Sequence, residues 1–417
     1  MTELTVVMED HGSTNIDVEA LEQRMKAKLR SDSPLSAQCC IFRVPELLRK
    51  HKPEASDVVS IGPFHHSSSK LFANMKDVKQ WYLNSLLLRK NISLKALIQG
   101  IDSITWFEKR ARDYYAESFN HLDQNQFIEM MIIDGCFLLE LFQRRSNIFP
   151  DSDKVNVLND PLSNMGCMIQ YLCHDLLLLE NQLPWFVLES LYNLTCYERG
   201  SLTRLVLNFF ISGLSSLAHN CNGYRNHSHD NEILHILDLI RSAIVVPLHK
   251  FESIEQEITL PHATELFEAG IQFKRSLVDI NEPLFRNRIA FEQCYHGRDY
   301  KVTSYASLMD NLIASSKDVV FLSDNEIIRN WLSAEDASQV FSKLVNDTLI
   351  VDFCYGRLCA AVNKYYKVRW NQWLARLKRD YLSNPWKITS LVAAFILLVL
   401  TLLQTTYTIQ QYYSPPK

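Results

Sequence analysis

Apolar residues recur at intervals of three and four along most of the chain ahead of its C-terminal apolar segment. An α-helix makes one turn in about 3.6 residues, so these intervals place apolar side chains on one face of a helix. The clearest series are Val18, Leu21, Met25 and Leu29; Leu71, Met75, Val78, Tyr82 and Leu86; Leu94, Leu97, Ile98 and Ile101; and Phe127, Met130, Met131, Asp134 and Leu138. Strict alternation, which is typical of strands, is scarce. The pattern predicts an all-α fold built on one large multi-helix domain.

Two segments interrupt this periodicity. Residues 40–66 hold three prolines and short apolar runs, which predicts an irregular segment wrapped over the helices, with a short helix at 46–50. Residues 218–230, AHNCNGYRNHSHD, are polar and turn-forming. They predict a solvated loop and a weak subdomain boundary.

Two helix starts are expected from capping patterns. Ser323 precedes Glu326 by three residues, and Ser333 precedes Asp336 by the same interval. In such a pair the hydroxyl and the carboxylate each satisfy a free backbone N–H of the first turn. We therefore expect one helix to begin after Ser323 and another after Ser333.

The C-terminal run 388–409, ITSLVAAFILLVLTLLQTTYTI, is uncharged. About 22 residues at about 1.5 Å each span a ~30 Å hydrocarbon core, so the run predicts one C-terminal transmembrane helix rather than a buried core helix. Aromatic anchors flank it: Trp370, Trp373, Tyr381 and Trp386 before, Tyr407, Tyr412 and Tyr413 after. We expect an N-terminal segment with one amphipathic helix (1–35), a helical domain (36–386), the transmembrane helix (387–410) and a short tail (411–417).

Charge is distributed unevenly, although the net charge is only −4. Residues 355–387 carry about +7, which leaves about −11 for the rest of the chain. The basic residues nearest the span are Lys364, Lys367, Arg369, Arg376, Lys378, Arg379 and Lys387. By the positive-inside rule this cluster keeps the large N-terminal region in the cytosol, tail-anchored in the plasma membrane or an endomembrane. The cluster could also contact anionic lipid headgroups, and nucleic acid is not an expected partner.

The ten cysteines include no CxxC pair, which favours reduced, buried thiols over a metal ribbon or a disulfide framework. The N-terminus shows neither a basic nor an apolar signal region. His219, His227 and His229 are ligand types that zinc accepts, but their spacing matches no established zinc pattern. A surface loop without metal is the favoured interpretation, and no cofactor is predicted.

Asp134 and Glu180 stand in strongly apolar surroundings, where we expect helices. A buried carboxylate needs a partner or a raised pKa, so the pair could be an acid and a base of an enzyme or part of a core hydrogen-bond network. The network is favoured. In the stretch ENQLP, the amides of Asn181 and Gln182 can donate to the last carbonyls of a helix that ends before Pro184, while Glu180 accepts from a neighbouring segment. These residues then form a structural polar joint between two helices.

Several stretches resemble the plant proteins of the family named domain of unknown function 247. They are IFRVPELLRKHKPEASDVVSIGPFHH, MIIDGCFLLELF, DLLLLENQLPWFVL, ATELFEAGIQFK, FRNRIAFEQCY and RDYLSNPWKITSLVAA. The resemblance runs from about Cys40 to the end and implies a largely helical fold with one C-terminal transmembrane helix, and it carries over no catalytic residue. Some grass members resemble, or are, polymorphic determinants of self-incompatibility. Between Ile280 and Phe285 only NEPL stands where members usually have a longer stretch.

The sequence contains no phosphate loop, no GxSxG elbow and no HExxH pair. The leading hypothesis is a membrane-anchored recognition or signalling protein that acts without catalysis by binding another protein. A metal-dependent or acid/base hydrolytic enzyme and a membrane-associated scaffold are the alternatives.

Overall fold

The computed structural model describes residues 17–29, 31, 33, 35–49, 58–66, 75–145, 160–162, 167–195, 201–213, 232–245, 259–274, 282–328, 332–381 and 385–413. Within these residues lie eighteen α-helices. No extended strand occurs in this part of the chain, and an isolated β-bridge joins Ile41 to Tyr115. The all-α prediction is confirmed.

The helices are numbered in chain order. They are α1 (Val18–Lys26), α2 (Glu46–Arg49), α3 (Met75–Lys90), α4 (Leu94–Gly100), α5 (Ile104–Asp113), α6 (Gln124–Arg145), α7 (Met168–Asp175), α8 (Trp185–Thr195), α9 (Leu202–Gly213), α10 (Ile236–Val245), α11 (Ala263–Glu268), α12 (Glu282–Cys294), α13 (Lys301–Leu312), α14 (Ser316–Asp324), α15 (Ala334–Val345), α16 (Gly356–Tyr366), α17 (Arg369–Tyr381) and α18 (Pro385–Tyr413).

Helix α6 lies at the centre of the largest core. Its buried residues fall on every side of the helix, as expected for a helix that neighbours surround. Helices α3, α5, α8 and α9 pack on it. Aromatic side chains from different helices meet there, for example Tyr82 with Phe137 and Phe142 with Phe209.

A second core joins the helices that follow. Phe285 and Ile289 of α12 pack with Met309, Val319 and Phe341, which come from α13, α14 and α15. A small third cluster, around Phe353 and Cys359, lies beside α13 and α16. The chain therefore enters α17 from an element already packed on the domain.

One capping prediction is confirmed and the other is wrong. Ser333 caps α15, because its Oγ accepts from Asp336 N–H at 3.1 Å. Ser323 instead lies in the last turn of α14, which begins after Ser315. Asp318 accepts from the N–H and hydroxyl of Ser315 at 3.1 and 2.8 Å. The capping pattern occurs twice in this stretch, at Ser315 with Asp318 and at Ser323 with Glu326. The earlier pair caps α14, because a helix that starts there buries its apolar face.

Candidate functional site

The turn between α7 and α8 carries the polar residues that the sequence singled out. Helix α7 ends at Asp175, and the chain then runs through irregular residues to Pro184, after which α8 begins. Glu180 was expected in an apolar helix and lies instead in this turn. The interval from Leu176 to Leu179 is too buried to be a solvent loop, so its backbone groups need partners inside the protein.

Two amide side chains supply some of those partners. Gln182 Nε2 donates to Leu176 O at 2.9 Å and to Leu178 O at 2.8 Å. Asn181 Nδ2 donates to Asp175 O at 2.9 Å and to Val59 O at 3.0 Å. Carbonyls at the end of α7 that have no helical partner are thereby satisfied.

The same turn binds an irregular segment from near the N-terminus. We call the described residues 40–49 and 58–66 the strap. Asp175 Oδ2 accepts from Val58 N–H and Val59 N–H at 2.8 and 2.9 Å. Glu180 Oε1 accepts from Val44 N–H at 2.8 Å, and Asn181 Oδ1 accepts from Ile61 N–H. Backbone donors of the strap outside α2 are therefore paired by buried side chains.

Asp134 reaches the strap from α6. Its Oδ2 accepts from Gly62 N–H at 2.9 Å, and its Oδ1 pairs with Lys79 of α3 at 2.5 Å. Lys79 also donates to Ser60 O. Asp134 and Lys79 are both buried, so each charge has a partner where water is excluded. We call Asp134, Asp175, Glu180, Asn181 and Gln182 together the polar clasp.

Positive groups surround Glu180. Arg49 of α2 pairs with it, His65 Nε2 lies 3.1 Å from Oε2, and Arg43 Nη1 lies 4.0 Å from Oε2. Glu180 is only 4% exposed. Burial and the charges of Arg43 and Arg49 lower the pKa of His65, which favours the neutral imidazole.

Gly62 allows the strap to approach the turn closely. Its φ is +75°, and a Cβ there would lie 2.8 Å from Gln182 O. Tyr115 Oη, from the end of α5, donates to the same carbonyl at 3.0 Å. Only glycine fits both the left-handed conformation and the space.

The oxygens of Asp134 and Glu180 in the clasp face backbone N–H groups and cations. The cavity beside Glu180 has a volume of about 10 Å³, room for about one water molecule and far below the roughly 300 Å³ of ligand pockets. Its walls are Val44, Leu48, Arg49, Leu178, Glu180, Arg286 and Asn287.

Another buried polar group joins α10, α12 and α13. Glu292 Oε1 pairs with Arg241 at 2.6 Å, and its Oε2 accepts from Thr303 N–H at 2.9 Å. Arg298 pairs with Asp238 at 2.8 Å. Burial raises the pKa of the Asp238 carboxyl, but the Arg298 hydrogen bond and the nearby charges hold it below its ordinary value.

The basic residues before the C-terminal helix lie on three helices. Lys364, Lys367, Arg369 and Arg376, on or beside α16 and α17, are exposed, and so is Lys387 at the start of α18. Lys378 and Arg379 fall within α17, and their side chains lie outside the described residues, as do His219, His227 and His229. Among the residues that the structure describes, no group of three or more His, Cys, Asp or Glu side chains could hold a metal ion.

Helix α18 contains the predicted span and extends past it. The most apolar 18-residue window of Trp386–Tyr413 has a mean hydropathy of 2.2, and none of this window is buried. By length and composition it could cross a membrane.

Sequence reasoning missed several residues of the clasp and its partners. Asp175 was not predicted to be part of the joint. Lys79, Arg49 and Gly62 are polar or small residues whose partners lie far away in sequence. One local signal pointed to Gly62. It is an isolated glycine in the short sequence IGPF, at the end of the proline-rich segment, and such a glycine indicates that the backbone approaches another group closely.

These features define a class of protein: an all-α domain with a C-terminal apolar helix long enough to be a membrane anchor. The chain belongs to the family DUF247, described as plant protein of unknown function, whose profile matches residues 41–282 and 276–400. The two matches meet where the sequence has only NEPL in place of a longer stretch.

Two relatives come from Arabidopsis thaliana. UPF0481 protein At3g47200 is 28% identical over 435 residues, which cover 91% of this chain and 88% of the relative. Putative UPF0481 protein At3g02645 is 26% identical over 174 residues, 36% of this chain and 33% of the relative. No solved structure matches the chain significantly.

Proposed function

We propose that the chain is a membrane-anchored recognition protein, in which α18 spans the membrane and the cytosolic helical domain binds another protein. The observation that carries this proposal is α18 itself. It is long, apolar and wholly exposed in its most apolar window, whereas the helical domain before it already buries extensive apolar cores. Exposed apolar area of that extent is stable when lipid covers it.

The charge distribution supports a cytosolic domain. The basic residues Arg369, Arg376 and Lys387 closely precede the uncharged run 388–409, and after that run the sequence has only Lys417. Positive residues close to a span favour the cytosolic side.

The clasp supports binding rather than catalysis. Its carboxylates are occupied by the strap and by cations, so we assign it a structural role: a polar joint, including Pro184, that fixes how α7, α8 and the strap meet. The domain then offers a rigid surface to a partner. Recognition in self-incompatibility, which the family resemblance suggests for some grass members, would be one case of this activity.

Alkaline extraction of membranes from plant cells tests the anchor. The full-length protein is expected to stay with the membranes. Arginine at the centre of a span costs about 2.5–3.5 kcal/mol, so Val399→Arg/Leu400→Arg should release the protein. Gln410→Arg, near the end of α18, is the matched control and should stay. Release of the wild-type protein would contradict the anchor.

Proximity labelling in plant cells tests recognition against a generic scaffold. The full-length protein is compared with a fluorescent protein joined to residues 369–417. Recognition predicts a small set of neighbours that requires the helical domain. Identical sets of labelled proteins for the two chains would contradict recognition.

A further inference from the structure

Helix α17 turns an apolar stripe away from the domain. Trp370, Trp373, Leu374 and Leu377 recur at the spacing of one helix face. The first three are 65%, 54% and 49% exposed. The two tryptophan rings lie together, with centroids 5.1 Å apart. A helix on the surface of a soluble domain turns such a stripe inward, so α17 has the opposite orientation.

The other side of α17 is fixed to the domain. Ala375 packs on the turn after α11, where a Cβ on Gly270 would lie 2.9 Å from Ala375 Cβ. Gly270 has φ +89°, which other residues rarely adopt. Asn371 Nδ2 donates to Tyr365 O at 3.1 Å, and Gln372 Nε2 donates to Tyr366 O at 2.8 Å. The small and polar side therefore faces the protein.

The apolar stripe continues toward α18. Trp386, at the start of α18, is 81% exposed, and α17 and α18 are in contact. Arg369 and Arg376 are exposed and, at about 100° per residue, lie beside the same edge of the stripe. Apolar side chains edged by arginine, with tryptophan among them, are typical of helices that lie in a membrane interface.

We propose that α17 lies in the plane of the cytosolic leaflet, with Trp370, Trp373 and Leu374 inserted among anionic lipid headgroups. The packing of Ala375 on Gly270 then fixes the orientation of the domain on the membrane. The proposal rests on the proposed function, because α18 must span the bilayer to bring α17 to its surface. A second copy of the chain is the competing occupant of the stripe.

The test uses the full-length protein in phosphatidylcholine vesicles that contain about one third phosphatidylserine, an anionic lipid. A phosphatidylcholine with a diazirine at the top of an acyl chain labels whatever lies at that depth. Trypsin cleaves after Arg369, Arg376 and Lys387, so peptide 370–376 reports on the stripe and peptide 388–417 reports on the span. Lipid adducts are expected on both peptides.

A matched pair of variants assigns the label to the tryptophans. Trp370→Ser/Trp373→Ser should lower the labelling of peptide 370–376 by about fivefold or more and leave peptide 388–417 labelled. Trp106→Ser removes another exposed tryptophan, on α5, and should change neither. Omitting phosphatidylserine should lower the labelling of peptide 370–376 by about fivefold for each arginine near the surface.

Each remaining outcome overturns the proposal. Adducts on 388–417 without adducts on 370–376 contradict the insertion of α17 but leave the anchor standing. Absence of adducts on both peptides contradicts the anchor as well. Lipid adducts on 370–376 that disappear as the protein-to-lipid ratio is raised assign the stripe to a second copy. Equal labelling without phosphatidylserine contradicts the preference for anionic lipid.

Discussion

Glu180 shows how single side chains of the clasp contribute to stability. It accepts from Val44 N–H and faces Arg49 and His65 inside the protein. Removing one member of a buried group of charges leaves the remaining charges without a partner. The free energy of unfolding then falls by more than the ion pair itself contributes. Stability therefore depends on keeping the whole group.

Replacing Glu180 by Ala should lower the free energy of unfolding by about 1–3 kcal/mol, because the buried Val44 N–H loses its acceptor and the half-buried Arg49 loses its carboxylate. Glu189→Ala is the matched control: Glu189 is exposed on α8, and its loss should cost under about 0.5 kcal/mol. Urea unfolding of the purified protein measures both. Equal stability of Glu180→Ala and the wild type would show that the clasp is dispensable.

A second prediction for a single residue concerns Gly62. Gly62→Ala should destabilise the protein by roughly 1–3 kcal/mol, since φ is +75° and the new Cβ would meet Gln182 O. Gly297→Ala is a suitable control, because its Cβ would meet only the movable ring of Tyr295. Thermal unfolding compares the two, and equal effects would contradict the close approach.

His235 predicts a loss of stability in mild acid. Burial lowers its pKa to about 4, from 6.5 when exposed. Between these values the unfolded state binds a proton that the folded state does not, so stability falls as pH drops from 6.5 toward 4. At about 1.4 kcal/mol per pH unit the full loss is roughly 3 kcal/mol. Unfolding at pH 7 and pH 5 should differ less in His235→Gln; an equal difference would contradict this assignment.

At the scale of elements, the strap and the turn before α8 depend on each other. Apart from α2 in the strap, neither has regular hydrogen bonding. Asp175 and Asn181 of the turn accept from backbone N–H groups of the strap, and Asn181 also donates to Val59 O. Removing the Asp175 carboxylate should therefore speed hydrogen exchange in the strap more than in the helices.

Hydrogen exchange measures this coupling. Asp175→Ala should speed exchange of the Val58 and Val59 amides by about tenfold or more, since each loses its acceptor and roughly 1.5 kcal/mol of a charged hydrogen bond. Asp123→Ala removes a helix cap at the surface of α6 and should leave exchange in residues 58–66 unchanged. Unchanged exchange rates of the Val58 and Val59 amides in Asp175→Ala would refute the coupling.

The elements were largely predictable, whereas the partners of the clasp were not. Helix periodicity is local, so series such as Leu94 to Ile101 identify their helices directly. Pro184 marks the turn because it lacks an N–H. The partners of Asp134 and Glu180 lie on α3 and the strap, and no local pattern encodes a contact between residues 55 or 136 positions apart. The sequence singled out the basic residues and the tryptophans of α17, but only the packing of Ala375 shows which face of the helix is turned away from the domain.

For the whole molecule, three parts follow in order: a helical domain held together by buried polar contacts, an interfacial helix α17 and the apolar helix α18. We propose that α18 anchors the domain on the cytosolic side of the membrane. The opposite orientation would be detected by N-glycosylation, which occurs only in the lumen. The sequence has four N-x-S/T acceptors, at Asn91, Asn193, Asn226 and Asn346. Asn91 and Asn346 are exposed, whereas Thr195, which completes the acceptor at Asn193, is buried, and Asn226 lies outside the described residues.

The most direct measurement is protease protection of intact membranes from plant cells that express the full-length protein, with a glycosidase gel shift beside it. We expect protease added outside the vesicles to digest the domain, and glycosidase to leave its mobility unchanged. A protected domain that carries N-glycans would contradict the account, and the domain would then face the lumen or the cell exterior.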